Sequence, residues 1–121
     1  MRRGTELKLP RTLDAARRAR RFITDVCARW RVPGLAPDAA VIATELVENT
    51  LRHTRAAPRL ALELDRDELT VQVTDDDPQA AVLREGVRPL GLGLLLVAQT
   101  SRRWGCRRAR SGGKTVWATL R

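Results

Sequence analysis

The chain contains no tyrosine, one phenylalanine and three tryptophans in 121 residues. It therefore lacks the interleaving of basic residues with stacking aromatics on which single-stranded nucleic-acid binders rely. Lysine is almost missing too: 21 arginines and two lysines produce the net charge of +9. That imbalance follows as readily from genomic base composition as from an anionic partner, so charge alone supports only salt-sensitive, sequence-independent duplex binding. Cysteine is limited to Cys27 and Cys106, too far apart for metal-ligand spacing or a redox pair, which leaves two reduced thiols without assigned chemistry. No run approaches the roughly 18 apolar residues of a membrane span, and the basic start MRRGTELKLP has no signal-type apolar stretch behind it. A cytoplasmic protein with residues 1–121 forming one domain is expected, sized for a single core.

What is present is periodic. From Leu13 to Trp30, apolar residues at Ala15, Ala16, Ala19, Phe22, Ile23, Val26, Cys27 and Trp30 form one helical stripe. The arginines of ARRARR fall on the opposite side, a solvated face or, alternatively, a docking surface for an acidic protein. Pro33 and Gly34 end this helix, and Pro37 with Asp38 suits the first turn of another that runs to about His53. RLALELD alternates Leu60, Leu62 and Leu64, and ELTVQVTD alternates Leu69, Val71 and Val73, an antiparallel hairpin turning at Asp65 to Asp67. Residues 77 to 90 follow neither period and carry Pro78, Gly86 and Pro89, a connection of the length that lids have. GLGLLLVAQTSRR opens with glycines and continues as an apolar helix. RWGCRRARSGGKTVWATLR gives two strands around a turn at Ser111, Gly112 and Gly113, with TELKLP as an edge strand. The order fits an α+β, two-layer sandwich with helices on one face of a mixed, mostly antiparallel sheet.

Four short segments carry chemistry. In ATELVENTLRHT, Glu45 and Asn49 lie one turn apart at the border of the apolar stripe of Ala39, Ile42, Ala43, Leu46 and Val47, so a single metal-bound ligand can meet both. The alternative is a solvated helix-surface pair. Asp75 stands where strand alternation gives way to TDDDP; an ionised carboxylate only accepts hydrogen bonds and suits an exocyclic amine such as adenine N6. Asp76 and Asp77 read as turn-forming acids. Gly91 and Gly93 of PLGLGLLLV allow close backbone approach before a helix whose free N–H groups favour phosphate, and GGKTVW feeds a turn into a strand at Thr115. His53, one turn beyond Asn49, reads as a structural helix residue.

In order, Glu45-x-x-x-Asn49, Asp75, the Gly91/Gly93 loop and Gly113-Lys114-Thr115 resemble the boxes of the gyrase and histidine-kinase type ATP-binding fold. Within that superfamily, ELVENTLRHT, GLGLLLV, RWGCR and GGKTVWATL look most like the small anti-sigma-factor serine kinases, over about Ala15 to Leu120. The resemblance implies ATP and Mg²⁺ as cofactors, with Asn49 on the metal and Glu45 acting on the attacking hydroxyl. It also implies Asp75 at adenine, Gly91 and Gly93 along the phosphates, and Thr115 in support of the adenine contact. It further implies a serine/threonine kinase whose partners are an anti-anti-sigma-type antagonist protein, a sigma factor or both, and a homodimer. The chain departs from the superfamily pattern after Asp75, where DDDP replaces the glycines of D-x-G-x-G. The added charge of Asp76 and Asp77 would need compensation, for which Arg52, Arg84 and Arg88 are candidates. A non-catalytic sequestering module is the second reading, and a basic nucleic-acid-binding domain the third.

Overall fold

The computed structural model of the chain describes residues 2–76, 92–110 and 112–121. Its elements run β1 (Arg2–Lys8), α1 (Ala15–Arg29), α2 (Ala36–His53), β2 (Arg59–Asp65), β3 (Glu68–Asp75), α3 (Leu92–Thr100), β4 (Arg103–Arg108) and β5 (Lys114–Leu120), with a 3₁₀ turn at Pro33–Leu35. The expected lid over 77 to 90, and Gly91 with it, lie outside the described residues.

α1 buries Ala15, Ala19, Ile23, Val26 and Cys27 and leaves the arginines of its opposite face in solvent. It stops before Pro33, because Arg31 takes a left-handed conformation, φ 63°. There the Arg31 N–H donates to the carbonyl of Ala28 at 3.2 Å and the Val32 N–H to that of Cys27 at 2.9 Å. These two bonds satisfy carbonyls that the helix end would otherwise leave open. α2 places Ala39, Ile42, Ala43, Leu46 and Val47 in the interior, and its buried stripe continues through Asn49 and Thr50. Pro37 and Asp38 sit in its first turn, where the missing proline donor costs nothing and the carboxylate meets the positive end of the helix dipole. The far end is held by Arg11, whose guanidinium donates to the Leu51 and Ala56 carbonyls, each at 2.9 Å.

The sheet has the order β1-β2-β3-β5-β4. All four pairings are antiparallel, where the expected sheet was mixed and mostly antiparallel. The reason is the route of the chain: after α3 it lays down β4 at the edge and returns as β5 between β4 and β3, so neighbouring strands always run in opposite senses. Strict alternation then sorts the side chains. Leu60, Leu62, Leu64, Leu69, Val71, Val73, Val116, Ala118 and Leu120 are buried with the helix stripes in one core. α1 packs on α2, α2 on β3 and α3 on α2, which makes two layers. Among the described residues no helix is long and apolar enough to cross a membrane.

Candidate functional site

Asp75 ends β3 on the core-facing side of the sheet and is 1% exposed. The register that aligns Val73 with Val116 places Lys114 directly opposite Asp75. Lys114 is likewise buried, at 6% exposure, and its Nζ lies 3.2 Å from Asp75 Oδ2. Gly113, just before, packs on the same residue. A Cβ there would come within 2.6 Å of the Asp75 carbonyl carbon and 2.8 Å of its Oδ1, and closer still to the carbonyl oxygen. The turn that delivers this glycine is built by Gly112, with φ 97°, its N–H donating to the Ala109 carbonyl at 3.0 Å and the Ala109 N–H to the Gly113 carbonyl at 2.9 Å. Asp75 is thus a carboxylate fixed from below by backbone and on one side by an ammonium.

Asn49 closes the buried stripe of α2 at 8% exposure, with Glu45 half-buried one turn earlier. Both occupy the border of the apolar stripe that their spacing predicts. The helix that carries them packs on β3, the strand that Asp75 terminates. Gly93 lies in the first turn of α3, which packs beside α2. His53 is the exposed last residue of α2.

Thr115 stands apart from this group. Its strand neighbours on the core side are Lys114 and Val116, so alternation turns its own side chain to the outer face of the sheet. There its hydroxyl pairs with that of Thr74 at 2.7 Å. The residue that β5 brings to Asp75 is Lys114, which motif spacing alone did not single out. The alternation of Val116 and Ala118 toward the core was the signal that could have found it.

Among the described residues, Asp76 is met by an arginine of β2. Arg59 Nη2 lies 2.8 Å from Asp76 Oδ1, and Arg59 Nη1 lies 3.7 Å from Glu6 Oε1. Arg59 was not among the arginines named from sequence; Arg84 and Arg88 lie outside the described residues, and Arg52 is exposed in the last turn of α2. On the outer face, Arg59, Thr74, Thr115 and Arg107 form one cross-strand row that lines a cleft of about 580 Å³ together with Arg108, Ala109 and Arg110. Arg107 is committed there to Gln72 Oε1, 2.9 Å away.

The two cysteines lie on different elements. Cys27 is buried in α1, and burial raises its thiol above the usual range. Cys106 is exposed on β4, yet partial desolvation pushes its thiol up as well, outweighing the opposite pull of Lys114.

Chemically, the arrangement offers an acceptor for an amine at Asp75 and a side-chain oxygen for a cation at Asn49. It adds a carboxylate one turn away and the N-terminal turn of α3. Among the described residues no three His, Cys, Asp or Glu side chains gather as a self-contained metal site. A divalent ion here would need water and ligand oxygens beside the Asn49 side chain, since hard cations of this kind take oxygen ligands and keep several waters. No curated protein matches the chain. The family model described as the histidine kinase-like ATPase domain matches residues 9–120, which takes in α1, α2, all strands from β2 to β5, Asn49 and Asp75. With that match over almost its whole length and the two-layer antiparallel fold of such domains, the chain belongs to the histidine kinase-like ATPase domain family.

Proposed function

We propose that this ATP-binding regulatory domain works as a protein serine/threonine kinase of the anti-sigma-factor type, transferring the γ-phosphate of ATP to a hydroxyl of a small antagonist protein. The observation that carries this reading is the burial of two polar side chains, Asn49 on α2 and Asp75 on β3, elements that pack against each other. An amide oxygen and a carboxylate that face the core at the border of two packed elements suit opposite ends of one nucleotide. Asp75 accepts from the adenine amine. Asn49 would hold a Mg²⁺ ion through its side-chain oxygen, and that ion would supply neutralisation of phosphate charge. Glu45, a turn before Asn49, holds the proton of the attacking hydroxyl, and catalysis otherwise rests on positioning and charge neutralisation.

Calorimetric titration with ATP, with and without Mg²⁺, tests the binding half. Saturable Mg²⁺-dependent binding is expected, and Asn49→Ala should weaken it by an order of magnitude or more. Equal MgATP affinity in that variant sinks the assignment of α2. Catalysis is tested by incubating the protein with γ-labelled ATP and candidate antagonist proteins. Glu45→Ala should keep MgATP binding and lose label transfer; transfer at the parental rate removes Glu45 from the reaction.

A sequestering module that captures its protein partner without catalysis is the second reading, favoured by the Asp75–Lys114 pair, in which the carboxylate already has an internal partner. Partner capture without transfer, in protein that binds MgATP, would make it the better account.

A further inference from the structure

Lys114 has a task that an ion pair alone leaves incomplete. Its ammonium carries three N–H donors. Among the described residues Asp75 is its one side-chain partner, at 3.2 Å. The side chain is only 7% exposed, so water has limited access to the donors left over, and an acceptor brought there by a ligand would be favoured. The Asp75 main chain is fixed by the close approach of Gly113, and its carboxylate is held at the Lys114 ammonium. An acceptor and a donor are therefore held side by side at one spot on the inner face.

Adenine presents the complementary pattern. Its exocyclic amine donates, and the ring nitrogens on either side of that amine, N1 and N7, accept. We propose that Lys114 is a specificity-determining contact to the base: while its ammonium stays on Asp75 Oδ2, it donates a further hydrogen bond to the ring nitrogen beside the amine that Asp75 holds. This inference rests on the nucleotide reading above and adds to it a second, cationic reader of the base. A carboxylate alone reads one position on the ring, whereas the pair reads two adjacent ones, and a donor bond from a charged group is stronger than one from a neutral group.

The experiment uses the full chain and three ligands, MgATP and its 1-deaza and 7-deaza analogues, each titrated by calorimetry. The analogues replace one ring nitrogen by C–H, so the protein stays unaltered and folding is not at issue. Loss of about tenfold or more in affinity is expected for one analogue and not the other, which also identifies the nitrogen contacted. Lys114→Met, checked for folding by thermal denaturation, should bind ATP and the affected analogue alike. If the parent binds both analogues as tightly as ATP, the pair is a structural ion pair and the proposal fails while the nucleotide site stands. If folded Lys114→Met keeps the parental penalty, another group makes the contact and the proposal fails in the same way. Should that variant not fold, the ligand series in the parent decides alone. No saturable binding of ATP itself overturns the nucleotide reading and this inference with it.

Discussion

Gly113 and Asp75 are in backbone contact across the β3–β5 pair, so close that no side chain fits at position 113. The two nearest atoms in the way belong to the main chain of Asp75 at the end of β3, which cannot yield as the end of a flexible side chain can. Gly113→Ala should therefore cost about 3 kcal/mol, the upper end of ordinary overpacking, and should move Asp75. Urea unfolding measures the first effect. A stable variant with unaltered nucleotide affinity would contradict the packing described.

Asp75→Asn tests the base. The amide presents one acceptor and two donors where the carboxylate presents only acceptors, and it no longer holds the Lys114 ammonium by charge. ATP affinity should fall by about tenfold, and preference for ATP over GTP should shrink. Competition titrations with both nucleotides measure this; an unchanged preference would return Asp75 to a purely structural role at the strand end.

Arg11 should matter although it lies far from the site in sequence. Its guanidinium bridges the Leu51 carbonyl in the last turn of α2 and the Ala56 carbonyl beyond it, a cation at the negative end of the helix that carries Glu45 and Asn49. Arg11→Ala should lower stability by about 1 kcal/mol, a typical value for a cation placed there. Chemical denaturation gives the number, and no loss at low salt would mean that the contact contributes nothing.

Thiol chemistry should distinguish the two cysteines. In the native protein one equivalent of thiol should react with a disulfide reagent, from exposed Cys106, and the second only on unfolding, from buried Cys27. Desolvation raises the Cys106 thiol, which reduces the thiolate fraction at neutral pH. Its rate should therefore lag that of an unhindered thiol at pH 7 and climb only above the ordinary thiol range. Two fast equivalents in the native state would contradict the burial of Cys27.

Much of the fold could be read from period alone. The stripes of α1 and α2 and the alternation of β2 and β3 are strong local signals, and their buried faces coincide with the expected ones. The antiparallel sense of the whole sheet was not legible, because it depends on β5 returning between β3 and β4, a choice made by long-range packing. The end of α1 was placed at Pro33 since prolines are visible punctuation, whereas an arginine in the left-handed region gives no such signal. At the site, Asn49 and Asp75 occupy the inner positions that pattern implied. The face that Thr115 takes was not legible from its motif, because in a strand one residue is the whole thickness of the sheet. Reading outward from Val116 would have put Lys114 inside.

The sheet order leaves β1 and β4 as its two rims among the described residues. An open rim is a row of unpaired amides and carbonyls that can recruit a strand from another molecule and start a fibril. Here the rims carry Arg2, Arg3 and Lys8 on one side and Arg103, Arg107 and Arg108 on the other. Two like rims cannot approach edge to edge without bringing these cations together. A good part of the chain's positive charge is thus a safeguard against self-polymerisation, which would hold even if the protein never met an anionic partner.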